Sequence, residues 1–423
     1  MRETVYFKDK RILIVGLARS GLACANLLSD LGAKVNVTDI KDDETTRQNA
    51  LLLKSKGVSV ELGRHSKESL TGCELLVISP GVPQNALPIA WAREKGISCV
   101  GEIEVAWKLC PATVIAVTGS GGKTTVTTLI GKVIEAAGMK AFVCGNIGRP
   151  FSSEVAKMNK GDFVSLEASS FQLEAIKDFR PKIAVMLNFS KNHLDRHRDM
   201  QEYLQAKKNI FRNQERGDFL VLNERDPYLA LLAGESRAKT VFFSESEEFN
   251  PNQAAVVSVS SLLGIKKEIC LKVFAAFKGL EHRLEYVTEI GGVRFINDSK
   301  ATLAESTSWA IKNIKSPLIL IAGGKDKGVD YAEILDAADN KVKEVVVIGE
   351  AKGKIKKALE PRLPVKAAAD LKEAVGIAYK DARPGEYVLL SPMCSSFDMF
   401  KDYEERGRIF KEIVYGLKSQ EKQ

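Results

Sequence analysis

Residues 116–130 read "AVTGSGGKTTVTTLI": an apolar run, a glycine-rich turn carrying Lys123, Thr124 and Thr125, and then a helical pattern. Such a turn between strand and helix cradles phosphate. Gly119, Ser120, Gly121 and Gly122 present backbone N–H groups, and the helix N-terminus adds its positive end. Lys123 is placed to reach terminal phosphates and Thr124 to ligate Mg2+. The general pattern has a glycine five residues before Gly122, where this chain has Val117. A hundred residues earlier stands a second turn of nucleotide type, "GLARSG" at 16–21, with Asp39 ending the next strand-like run. Its second glycine is replaced by Ala18, where a pyrophosphate would approach the backbone. An NAD site, another nucleotide site and an empty turn all remain compatible with it. "SPGVP" at 79–83 ends another run of the same unit and borders the same crevice with Ser79 and Gly81.

Around these turns, short β-rich runs alternate with helical patterns almost throughout. They include "RILIVGL", "KVNVTDI", "SVELG", "ELLVISPG", "TVIAVTG", "KAFVCG", "FVSLEAS", "IAVMLNF", "FLVLN" and "TVFFS", and later "VRFIND", "PLILIAGG", "EVVVIG" and "YVLLSP". Continuous apolar strands separated by helices predict parallel sheets covered on both faces. Ligands of such sheets bind outside the carboxyl ends of the strands. With 423 residues the chain is long for one core. We expect an α/β protein of three domains: 1–100, 101–279 and 280–423, the last opening with the ribbon "YVTEIGGVRFIND".

Composition narrows the classes of function. Hydrophobic residues make up 45% and charged residues 27%, with no run of apolar residues long enough to span a bilayer. The start, "MRETVYFKDKRILIVG", lacks a signal-peptide layout. Seven scattered cysteines, never CxxC, read as reduced thiols of a cytoplasmic protein. The net charge of +8 comes from dispersed lysines with no basic run interleaved with aromatics, so anionic small molecules are expected as partners, and neither nucleic acid nor membrane. We also expect a monomer.

Further candidates follow the strand-like runs. Glu167 in "SLEASSFQLE" could ligate Mg2+ beside a nucleotide. "LNFSKNHLDRH" offers His193 and Asp195, and "YLQAKKNIF" offers Lys207 and Lys208. Later come "GLEHRLE" (His282, Arg283), "NDSKATLAES" (Asp298, Lys300, Thr302), "AGGKDKG" (Lys325, Lys327) and "LSPMCSSFDMFKDYEERG". Each alone is as well read as a turn or cap; their recurrence at strand ends is not.

Together, "TGSGGKTT", "GNIG", "EASSFQLE", "NHLDRH", "GLEHRLE", "NDSKAT" and "LSPMCSSFDMFKDYEERG" resemble, in order and over nearly the whole chain, the Mur ligase family of peptidoglycan synthesis. The resemblance implies a Rossmann-like N-terminal domain for UDP, a central P-loop ATPase domain with a mostly parallel sheet, and a Rossmann-like C-terminal domain for an amino acid. The two turns then hold different nucleotides. It implies ATP-dependent addition of D-glutamate to UDP-N-acetylmuramoyl-L-alanine in the cytoplasm. Carried over, Gly119 to Thr125 bind ATP, Thr124 and Glu167 one Mg2+, and His193 a second. Lys207 matches a carbamylated lysine, through its surroundings Tyr203, Ala206 and Phe211. Gly16, Arg19, Ser20, Asp39, Ser79, Gly81 and Asn146 fall to the UDP substrate; Arg283 and Asp298 to ATP; Thr302, Lys327, Ser396 and Tyr403 to D-glutamate. Where the family shows a His-Asn pair this chain has "FNPNQAAVV", leaving Asn252 for the adenine. A sister amide ligase or a folylpolyglutamate synthase would share the ATPase centre. A P-loop switch without synthetic chemistry and an NAD-dependent dehydrogenase are the readings from other classes.

Overall fold

The computed structural model describes residues 6–190, 197–326 and 328–420. Its strands assemble into three sheets. The first contains β1 (Arg11–Val15), β2 (Lys34–Asp39), β3 (Ser59–Leu62), β4 (Leu75–Ile78) and β5 (Ser98–Gly101), in the order 3-2-1-4-5 and all parallel. The second contains β6 (Thr113–Thr118), β7 (Ala141–Gly145), β8 (Phe163–Glu167), β9 (Ile183–Met186), β10 (Phe219–Asn223) and β11 (Lys239–Phe243), in the order 11-10-9-6-8-7, again parallel. The third contains β12 (Glu285–Ile290), β13 (Val293–Asn297), β14 (Leu318–Gly323), β15 (Val342–Ile348), β16 (Val365–Ala367) and β17 (Tyr387–Leu390), in the order 12-13-17-14-15-16. There only the β12–β13 ribbon is antiparallel.

The continuous apolar strands are explained by burial on both faces. Successive side chains point to opposite sides of a sheet. In β1, Ile12 and Ile14 enter one core and Leu13 and Val15 the other. In β6, Val114 and Ala116 face away from Ile115 and Val117. In β14, Leu318 and Leu320 oppose Ile319 and Ile321. A strand with two buried faces has no polar alternation to display.

The residues fall into two compact units, up to Phe277 and from Lys278 onward. In the first unit the helix Glu102–Leu109, which lies between the two sheets in sequence, carries two buried carboxylates. Glu104 accepts hydrogen bonds from the backbone N–H groups of Lys177, Asp178 and Phe179 at 2.8 to 3.0 Å. Glu102 accepts from Ser152 N at 2.6 Å, and burial pushes its carboxyl above the ordinary range. Carboxylates taken out of water need such donors, so the helix is fastened to the second sheet's loops.

Candidate active site

In the first unit the phosphate-type loop leaves β6 and enters the helix Lys123–Ala136. Gly122 has φ +77°, a left-handed conformation, and a Cβ there would lie 2.5 Å from Asn252 Oδ1. Asn252 therefore lies against the loop although 130 residues separate the two in sequence. Lys123 Nζ donates to Gly119 O at 2.8 Å and Ser120 O at 3.1 Å. Thr124 is buried; Thr125 is half-buried.

A second strand end braces this loop. Asn188, just past β9, accepts from Gly121 N at 2.7 Å and donates to Gly121 O at 3.2 Å. Its own carbonyl accepts from Ser120 N at 3.0 Å, and Ser190 N donates to Ser120 Oγ at 3.0 Å. Sequence reasoning quoted the motif containing Asn188 without assigning it. The available signal was a side-chain amide at the end of the strand beside β6.

Glu167 ends β8 in register with Val117 of β6 and is 2% exposed. Its Oε1 accepts from Asn146 Nδ2 at 2.8 Å, while Oε2 has no hydrogen-bond partner among the described residues. Asn146 N also donates to Glu167 O at 2.9 Å. A buried carboxylate oxygen left unpaired beside a phosphate-type loop has the chemistry of a cation ligand.

Lys207 reaches the same place from the helix Met200–Lys208. Its Nζ donates to Gly119 O at 2.8 Å, the carbonyl that also accepts from Lys123, and lies 4.6 Å above the Tyr203 ring. Burial holds this amine well below the ordinary lysine range; the neighbouring charge of Lys123 adds to the effect and Glu167 opposes it. Lys208, the alternative register, instead pairs with Glu235 at the surface. His193 and Asp195 lie outside the described residues.

At the crevice of the first sheet, Gly16 has φ +95°, and a Cβ there would sit 2.9 Å from Ser79 Cβ. Ser79 Oγ donates to Gly16 O at 2.8 Å. Asp39 accepts from Leu17 N at 2.6 Å and Lys41 N at 2.8 Å, so its carboxylate ties the turn together from within. The Arg19 guanidinium donates to Gly148 O, Ser20 is half-buried, and space around Gly81 is open. A small cavity beside this crevice is lined by Ser79, Val82, Gln84, Glu102, Phe171 and Gln172 among others.

In the second unit the candidates again gather at strand ends. Asp298 follows β13 and accepts from Ser391 Oγ at 2.9 Å and Leu284 N at 3.2 Å. Burial raises its carboxyl to about 7, partly offset by those bonds and by Arg283. Arg283 and Thr302 are half-buried; Lys300 Nζ lies 5.0 Å over the Tyr403 ring. Ser396 is buried. Lys327 lies outside the described residues. Sequence reasoning passed over Arg406 in "EERG". It is fully buried and donates to Ser299 O at 2.8 Å and Cys394 O at 3.2 Å, joining the ends of β13 and β17.

Residues 10–101 match the MurD-like N-terminal domain of Mur ligases, 117–278 the Mur ligase middle domain, and 282–394 the Mur ligase glutamate ligase domain. The chain belongs to the Mur ligase family and has its three-domain α/β fold. Among curated relatives, the UDP-N-acetylmuramoylalanine--D-glutamate ligase of Geotalea daltonii is 40% identical, the match covering 97% of this chain and 98% of the relative. That of Thermoanaerobacter pseudethanolicus is 38% identical, covering 97% and 99%. Among solved structures, the UDP-N-acetylmuramate-alanine ligase MurC of Thermotoga maritima aligns with a TM-score of 0.62 at 19% identity, over 96% of this chain and 100% of that one. MurF of Acinetobacter baumannii aligns at 0.60 and 14%, over 97% and 98%. At those identities the structures speak for the fold alone.

Proposed function

We propose that this chain is an ATP-dependent, ADP-forming ligase that joins D-glutamate to UDP-N-acetylmuramoyl-L-alanine during cytoplasmic synthesis of peptidoglycan precursors. The observation that carries the reading is the convergence of Lys123, Lys207 and the unpaired oxygen of Glu167 on one phosphate-type loop. Relatives similar along the whole chain support the choice of substrates. The domains are assigned to 1–100, 101–279 and 280–423, and the chain acts as a monomer.

A carboxylate does not condense with an amine in water unless activated. The terminal phosphoryl group of ATP passes to the L-alanyl carboxylate, giving an acyl phosphate and ADP. The amine of D-glutamate then attacks the acyl carbon, phosphate departs with the carbon–oxygen bond, and the amine proton goes to solvent or a base. Lys123 and the loop amides of Gly119 to Thr125 hold the ATP phosphates and offset charge on the moving group. Thr124 and Glu167, with His193 and Lys207 as its carbamate, would hold Mg2+, whose charge offsets the repulsion between the two anions. A neutral buried amine is the form of lysine that adds carbon dioxide, and the depressed basicity of Lys207 favours that form. Asn252, Arg283 and Asp298 are assigned to the nucleotide. Gly16, Arg19, Ser20, Asp39, Ser79, Gly81 and Asn146 are assigned to the UDP substrate, Asp39 by shaping the turn. Thr302, Lys327, Ser396 and Tyr403 are assigned to D-glutamate.

The test is isotopic. UDP-N-acetylmuramoyl-L-alanine labelled with oxygen-18 in its carboxylate should deliver one label to the released phosphate when D-glutamate and ATP are present. Unlabelled phosphate would rule out the acyl phosphate.

A further inference from the structure

His197, at the end of "NHLDRH", has no part in the chemistry above, yet it is only 2% exposed. Its Nε2 hydrogen-bonds Ser170 Oγ at 3.0 Å, and its Nδ1 lies 3.4 Å from Glu174 Oε1. Those partners are the first and last residues of the helix Ser170–Glu174, and a spacing of four puts them on one face. A carboxylate only accepts, so in a neutral imidazole the proton is assigned to Nδ1, and Nε2 accepts from the serine. The trio has the residue types of a nucleophile, a base and an orienting acid. Ser170, however, is itself 2% exposed, so its hydroxyl is a tie and not a nucleophile.

A helix of little more than one turn has scant stability of its own, so its placement depends on such ties. Its start is closed by Ser169, whose N–H donates to Gln172 Oε1 at 3.0 Å. Between the two residues that meet His197 stand Phe171 and Gln172, which wall the cavity together with Ser79 and Val82. Phe171 also stacks on the imidazole, with ring centroids 5.5 Å apart at 26°. The imidazole's other ring neighbour is Tyr203, 5.1 Å away, whose hydroxyl lies 3.3 Å from Ser120 Oγ in the phosphate-type loop. One buried side chain therefore touches both the cavity wall and the residue that abuts the loop.

We propose that His197 is a positioning residue shared by the two nucleotide sites. Its bond to Ser170 sets the cavity wall for the UDP substrate, and its ring, packed on Tyr203, sets Ser120 of the loop for ATP. The inference rests on the assignment of that crevice to the UDP substrate and of the loop to ATP. The two arms use different parts of one side chain, a ring nitrogen and a ring face, so substitution can separate them.

His197→Phe keeps a ring and loses the bond, whereas His197→Gln keeps a polar group for Ser170 and loses the ring. Ser170→Ala removes the same bond from its other end. KM values for UDP-N-acetylmuramoyl-L-alanine, Mg-ATP and D-glutamate are measured for each, with kcat. His197→Phe and Ser170→Ala should raise the KM for the UDP substrate about fivefold, as expected for one buried hydrogen bond, and leave that for Mg-ATP near wild type. His197→Gln should do the reverse, raising the KM for Mg-ATP about threefold or more, as expected for a lost ring pair. Turnover and the KM for D-glutamate should stay near wild type in all three. Combining His197→Phe with Ser170→Ala should be no worse than the poorer single variant, since both break one bond. A UDP-substrate KM unchanged in both His197→Phe and Ser170→Ala overturns the proposal, as does a Mg-ATP KM unchanged in His197→Gln. A parallel rise in every KM overturns it too, because it marks a general loss of structure. If the unmodified chain did not join D-glutamate to the UDP substrate, the functional reading would fail and carry this inference with it. An active wild type whose variants lack the split would sink the inference alone.

Discussion

Asp298→Asn should make the second unit more stable at slightly alkaline pH, although it removes a residue assigned to the nucleotide. Asp298 is buried, and its carboxyl is raised from 3.8 to about 7 because burial outweighs the bonds from Ser391 and Leu284. A raised acid binds its proton more tightly in the folded state. Stability is therefore greatest below the unfolded value and is lost as pH rises through the folded one. The gap of about 3 pH units, at ~1.4 kcal/mol per unit, comes to about 4 kcal/mol lost between pH ~4 and ~7. The asparagine carries no such penalty, but it offers one acceptor oxygen where the carboxylate offered two, at a cost of about 1 kcal/mol or more. A net gain of about 2–3 kcal/mol at pH ~8 is expected, shrinking to a loss at pH ~4. The assay is hydrogen exchange of the β14 amides, at the middle of the third sheet, without nucleotide and corrected for intrinsic rates. Protection in the wild type should fall across that window and that of the variant should stay level. Wild-type protection that is flat or rising, or a variant less protected at pH ~8, would refute the reasoning.

Three other predictions concern the first unit. Glu167→Gln should cost about 10²–10³-fold in kcat while raising the melting temperature of the ligand-free protein, because it replaces a buried carboxylate oxygen that has no hydrogen-bond partner among the described residues; scanning calorimetry and steady-state rates check it. Stripping bicarbonate should lower activity about tenfold or more, and adding it back should restore the rate, whereas Lys207→Arg should not respond because a guanidinium forms no carbamate. Carbon-13 bicarbonate should give a carbamate resonance that this variant lacks. Asn188→Ala should raise the KM for Mg-ATP about tenfold with little change in that for D-glutamate, since both of its side-chain bonds go to Gly121.

Much of the fold was legible because burial on both faces leaves long unbroken runs such as "RILIVGL" and "PLILIAGG", which are hard to place except in covered parallel sheets. The strands not picked out are short: Ser98–Gly101, inside the passage between the first two sheets, and Val365–Ala367, three residues at an edge with two of them exposed. Too few residues remain there for a pattern to form. In the candidate site, Lys123 could be found because it closes a glycine-rich turn at the start of a helix, and Glu167 because it ends a strand. Asn188 and Arg406 could not, because their roles depend on partners such as Gly121 and Ser299, whose approach only the folded chain creates. Asp39 illustrates the same limit in reverse. A strand-end acid is visible in the sequence; that its carboxylate turns inward onto Leu17 N is not.

The central claim is that ATP cleavage is coupled to joining one particular amino acid to one particular nucleotide sugar. Phosphate release from Mg-ATP should be measured with UDP-N-acetylmuramoyl-L-alanine while D-glutamate, L-alanine, L-lysine and diaminopimelate are offered separately. The account predicts release only when the nucleotide sugar and D-glutamate are both present. Release with a different amino acid, or release indifferent to every acceptor, would contradict it.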